Sequence, residues 1–133
     1  MPYYTDQIPN LNYAKTVIIG NGVTRIGYSA FWGIDIDKIV IPETVTSIGE
    51  YALSECDSLT SIEFPSSLTS IEQYAFDGNS YCLLYDFRKA QSIPSMGSQD
   101  TAFTNISQDA KIVVPAALYS SWITTGLWSW HEN

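Results

Sequence analysis

The sequence predicts a β-rich solenoid of about five stacked coils, each of roughly 23 residues. Three observations point to it. The first is repetition: IVIPETVTSIGEYALSEC, starting at Ile39, returns as IEFPSSLTSIEQYAFDGN, starting at Ile62. Pro42 falls on Pro65, Ile48 on Ile71, Tyr51 on Tyr74, Ala52 on Ala75 and Leu53 on Phe76, every pair at that same interval. The second is an earlier copy, VIIGNGVTRIGYSAF, whose Ile19, Ile26, Ala30 and Phe31 precede Ile41, Ile48, Ala52 and Leu53 by a repeat shorter by a single position. The third is unit size. A segment this short cannot bury its own apolar face and must close it against a neighbour.

Each unit opens with two apolar residues separated by one, Val17/Ile19, Ile39/Ile41 and Ile62/Phe64, as on one face of a strand. Gly20, Pro42 or Pro65 follows at once. Proline has no N–H to donate and ends a strand rather than continuing it. A polar turn leads to a second apolar pair, Val23/Ile26, Val45/Ile48 or Leu68/Ile71. The unit closes on Tyr-Ala-Leu or Tyr-Ala-Phe, with Ala and the large residue pointing inward, in a corner read as a short helical turn or a loop. Stacking in register sets successive coils about 4.8 Å apart and builds columns such as Ile19–Ile41–Phe64. Phe87 lies one further repeat beyond Phe64 and continues that column, with Arg88 in place of the proline.

The fourth coil is irregular. Ala102 and Phe103 follow Ala75 and Phe76 at a longer interval than the repeat, and KIVVPAAL supplies a last strand ending at Pro115. A short helix is expected from Ala116 to Thr125, with Leu118 and Trp122 on one face. The chain divides into a lead-in cap over 1–14, the solenoid over 15–115 and a C-terminal cap over 116–133. Tyr3, Tyr4, Ile8 and Leu11 are expected to cover the first coil. A monomer is the expected state.

LTSIEFPSSLTSIEQYAF and VTSIGEYAL resemble the BspA-type leucine-rich repeats of bacterial surface proteins, with units running L-x-x-I-x-I-P-x-x-V-T-x-I-G-x-x-A-F-x-x-C. SIPSMGSQDTAF and KIVVPAALYSSWITTGLWSW resemble that family's closing repeat and cap. Gly20 and Arg88 depart from the repeat proline, and Asn79 stands where Cys56 follows the family's cysteine. The resemblance implies a right-handed leucine-rich-repeat solenoid that binds something outside the cell, a non-catalytic recognition or adhesion module.

Composition narrows the partners. Fourteen acidic residues against six basic ones give a net charge of −8, and no run of Lys or Arg occurs. Nucleic acid and anionic membrane are therefore poor partners. No stretch approaches the ~18 apolar residues of a membrane span. MPYYTDQIPN lacks the basic and apolar regions of a signal peptide. A cell-surface or extracellular domain with its signal elsewhere fits, and so does a virion-surface protein, which needs no signal. No cofactor is expected.

Most polar motifs read as structure. His131 is the only histidine and stands in the closing WHEN, so no Ser-His-Asp or Cys-His arrangement is available. Cys56 and Cys82 lack further ligands for a metal, and a disulfide between them stays open. Asp35-Ile36-Asp37 and Asp77-Gly78-Asn79 resemble fragments of calcium loops but read as turns. Glu63 and Asp86, one repeat apart, come side by side on stacking, two solvated carboxylates near Lys38 and Lys111. As a pair they would be the only footing for a glycoside hydrolase.

Two candidate surfaces remain. Alternation leaves Ile18, Val40, Glu63, Asp86 and Val113 outward, flanked by Thr16, Lys38, Ser61, Leu84 and Lys111. Exposed apolar residues on such a row suit binding of a host or bacterial surface protein, although β-branched residues are also simply good strand formers. The alternative is a glycan-binding or phage receptor-recognition site built from Tyr119, Trp122, Trp128 and Trp130. Those same aromatics also suit a role in covering the last coil.

Overall fold

A computed structural model describes residues 15–96 and 101–124 of the chain. Each coil contributes two short strands. They are β1 (Thr16–Ile18), β2 (Arg25–Ile26), β3 (Lys38–Val40), β4 (Ser47–Ile48), β5 (Ser61–Glu63), β6 (Ser70–Ile71), β7 (Leu84–Asp86), β8 (Ser95–Met96) and β9 (Lys111–Val113). Every pairing is parallel and joins one coil to the next, Val17 opposite Ile39 and Tyr85 opposite Ile112. The fold is a leucine-rich-repeat solenoid of about four turns rather than five. After β9 the chain lacks the second apolar pair and enters a 3₁₀ turn (Ala116–Leu118) and helix α1 (Tyr119–Thr124).

The odd-numbered strands are those the sequence predicts. The even-numbered ones form a second, continuous sheet, β2-β4-β6-β8. The first row is not continuous. It divides into β1-β3 and β5-β7-β9, with no strand pairing between β3 and β5.

The core is columns of like side chains. Phe64 and Phe87 stack with centroids 4.1 Å apart, and Phe76 and Phe103 stack at 5.0 Å. The lengthened step to Phe103 therefore leaves its column intact. Ala52, Ala75 and Ala102 are buried beside these rings, small enough for the chain to pass close by. Burying a Phe or Leu side chain contributes roughly 1.5–3 kcal/mol, so these columns hold the stack together.

The corners over the described residues are turns, not helices. Two columns in them adopt positive φ: Ser29, Tyr51 and Tyr74 at 51–57°, then Gly33, Glu55, Gly78 and Asn105 at 53–78°. Gly and Asn accept this conformation readily; Tyr and Glu do so against a strain of roughly 1–2 kcal/mol each. Bonds to the next coil hold them, from the Tyr51 amide to Gln73 O at 3.3 Å and from the Glu55 amide to Asp77 O at 2.8 Å. Gly49 is needed for another reason. A Cβ there would lie 2.9 Å from the Gly27 and Ile26 backbone.

At the far end, Trp122 packs on Phe87 with centroids 5.4 Å apart and is buried. The predicted capping helix is present, its first turn tightened to 3₁₀ behind Pro115. The residues expected to cover the first coil, Tyr3, Tyr4, Ile8 and Leu11, lie outside the described residues.

Candidate recognition surface

A strand of this length points its middle side chain inward and its ends outward. Val17, Ile39, Ile62, Tyr85 and Ile112 accordingly face the core. Ile18 is 74% exposed and Val40 38%, and the two stand opposite one another in register. Lys38, Ser61, Glu63 and Lys111 are also exposed, and Val113 is half-buried opposite Asp86. The row thus runs from an apolar step at Ile18–Val40 to a charged centre at Glu63–Asp86.

Between those two parts lies the unpaired step from β3 to β5. Ile19 donates its amide to Val40 O at 3.0 Å, and Phe64 to Asp86 O at 2.9 Å, but the matching bond from Ile41 to Glu63 is not formed. A cleft of about 550 Å³ opens there, lined by Lys38, Val40, Ser61, Glu63, Phe64 and Lys89. Backbone groups that neighbouring strands would satisfy are left for solvent or a partner.

Asp86 departs from expectation. It is buried, not solvated, beneath the guanidinium of Arg88. Arg88 Nε and Nη2 donate to Asp86 Oδ1 and Oδ2 at 3.0 and 2.7 Å, and the Arg88 amide donates to Oδ1 at 2.9 Å. Proline, which the repeat carries at this position, has no amide N–H to give. These bonds hold the Asp86 carboxyl below the usual carboxylate range. Glu63 does stand beside Asp86 in register, but its partner is Lys89 Nζ at 2.8 Å, which also reaches Glu43 at 3.8 Å. The cations serving the pair are therefore Arg88 and Lys89, not Lys38 and Lys111. A carboxyl with a lowered pKa is also the opposite of what a general acid requires. Sequence reasoning assigns Arg88 and Lys89 no role, although two basic residues just behind a strand bearing an acid were the available signal.

Residues 9–120 match the BspA type leucine rich repeat region, in six copies. The chain belongs to the BspA-type leucine-rich repeat family. A leucine-rich repeat protein from Bacteroides capillosus has a similar fold, with TM-score 0.64 and 21% identity, over 77% of this chain and 78% of that one. A leucine rich cell surface protein from Faecalibacterium prausnitzii is similar with TM-score 0.63 and 21% identity, over 81% of this chain and 34% of that one. A search of curated proteins returned no match.

Of the remaining candidates, Asp35, Cys56, Asp77 and Cys82 occupy structural places in the BspA-type coil. Trp122 is buried in the cap, which removes its ring from any exposed platform. Tyr119 is half-exposed and borders a hollow of about 1030 Å³ beside the 103–114 segment. Trp128, Trp130 and His131 lie outside the described residues. Cys56 and Cys82 are both free and buried, and burial pushes the Cys56 thiol up to about 12. Asp35 accepts bonds from Ser58 and Lys15, and Asp77 from Thr104 and Asn105 at 2.7 and 2.8 Å. Both carboxylates hold neighbouring loops together.

Proposed function

We propose that this BspA-type domain is a non-catalytic recognition module of a bacterial cell-surface protein. It acts as a monomer, needs no cofactor, and binds a host or bacterial surface protein through its strand face. The observation that carries this reading is the exposed, in-register pair Ile18 and Val40, of which Val40 lines the β3–β5 cleft. Exposed apolar surface rimmed by polar residues marks interaction sites. Lys38, Ser61, Glu63 and Lys111 supply the polar rim, and half-buried Val113 continues the row beside Asp86, which Arg88 covers. A further support is the Faecalibacterium prausnitzii protein of similar fold, itself described as a cell surface protein.

The test is an array of extracellular-matrix proteins, bacterial surface proteins and glycans probed with the domain and with an Ile18→Asp/Val40→Asp variant. Protein binding lost in the variant, with its thermal unfolding unchanged, is the expected result. Binding that survives the double change, or binding to glycans alone, removes the assignment.

A further inference from the structure

The corner after the second sheet carries a row of aromatic rings that the strand face does not use. Tyr51 and Tyr74 stack with centroids 5.1 Å apart and planes 11° off parallel. Tyr28 meets Tyr51 at 6.2 Å with planes at 83°. At that angle Tyr28 keeps at least one ring face uncovered, and it is 69% exposed. Trp32, 54% exposed, stands one turn further along the same corner.

Tyr51 and Tyr74 hold these places at φ 57°, where Asn or Gly would sit without strain. One stacked pair contributes less beyond burial than the strain of two residues held at positive φ, so stacking alone is no reason for rings at this position.

The charges beside the ladder have one sign. Glu50 and Asp77 are near enough to bear on Tyr51: loss of solvent around the ring pushes its hydroxyl up, and Tyr74, Glu50, Tyr28 and Asp77 add to the effect. Glu55 lies against Gly78 in the adjoining column. Among the described residues the ion pairs engage Asp35, Glu43, Glu63, Glu72 and Asp86, and none engages Glu50, Glu55 or Asp77. The local cation, Arg25, is held by Glu72 at 2.9 Å and Ser47 at 3.3 Å.

We propose that the Tyr28–Tyr51–Tyr74 ladder with Glu50, Glu55 and Asp77 is a second binding surface, for an arginine- or lysine-bearing segment of a partner protein. A guanidinium over an exposed aromatic face is attracted by the ring's quadrupole. Its N–H groups donate to carboxylates in charge-assisted bonds. A net charge of −8 draws such a segment in. A neutral sugar fits less well, because carboxylates without an ion-pair partner among the described residues complement a cation.

The test is fluorescence anisotropy with a labelled twelve-residue peptide alternating Arg and Ser, against the same peptide with citrulline for Arg. Tyr51→Asn/Tyr74→Asn removes the stacked rings and leaves residues that tolerate positive φ, and a second variant, Glu50→Gln/Glu55→Gln, leaves the rings in place. The expected result is binding of the Arg peptide alone, weakened at least five-fold in each variant, with circular dichroism unchanged. Equal binding by the Tyr variant would reduce the effect to general attraction to an acidic protein and overturn the proposal. No binding, equal binding of the citrulline peptide, or competition by a soluble glucan oligosaccharide would overturn it too. The strand-face variant is untouched by any of these outcomes.

Discussion

Asn79 and Cys56 do the same thing one coil apart. Asn79 Nδ2 donates to Leu53 O at 2.8 Å, and Cys56 Sγ donates to Phe31 O at 3.2 Å, each reaching the carbonyl of the large core residue one coil back. Asn79 adds a second bond, its Oδ1 accepting from the Cys56 amide at 2.8 Å. The residue that departs from the repeat pattern is thus a stronger version of the one it replaces. Asn79→Ala would leave a buried N–H and a buried C=O unpaired, each worth about 1–3 kcal/mol, so a loss of about 2–6 kcal/mol is expected by urea unfolding. Asn79→Cys keeps a donor and should lose less; equal losses would show that the bond donated to Leu53 O contributes nothing.

Arg88→Leu should weaken the fold in a pH-dependent way. Asp86 is held below its ordinary value of 3.8 in the folded chain, with the Arg88 hydrogen bond as the first cause. A depressed carboxyl stabilises fully above its unfolded pKa, and that share is lost as pH falls through its folded pKa. Because the Arg88 side chain is 67% exposed, solvent screening weakens the pair. Wild type should have the higher urea midpoint at pH 7, and the two midpoints should converge as the pH falls through and below the ordinary carboxylate range. A gap that persists at low pH would assign the loss to packing instead.

Trp122→Ala separates a cap from a ligand platform. The ring is buried on Phe87, so its removal should destabilise the whole stack by about 3–5 kcal/mol, read as a lower thermal midpoint. An unchanged midpoint would mean that the last coil does not depend on this ring.

Most of the core was legible because a column repeats its residue type at the coil period. Ile48 and Ile71, Ala52 and Ala75, and Phe64 and Phe87 declare their contacts through spacing alone. The second strand row was not, since two residues are too few to show alternation. Asp86 reads as solvated in the sequence because the position after it signals only a strand stop, whereas Arg88 there adds an amide and a guanidinium. The gap between β3 and β5 left no trace in the sequence: Ile39 and Ile62 keep the same interval as the paired Ile62 and Tyr85. The positive-φ positions of Tyr51 and Tyr74 were equally silent, being filled by residues that do not favour them.

The unbridged step also has a mechanical meaning. Between the second and third coils, the backbone bonds run through the β4–β6 pairing and the corner bonds of Tyr51, Leu53 and Glu55. At the strand row only exposed side chains bridge the step, Glu43 accepting from Ser66 and pairing with Lys89. Bending toward the opposite side widens this one interval without breaking a strand bond, so the solenoid is stiff along two edges and compliant on the third. The row carrying Ile18 and Val40 can change its length and curvature at the point where a partner would press against it.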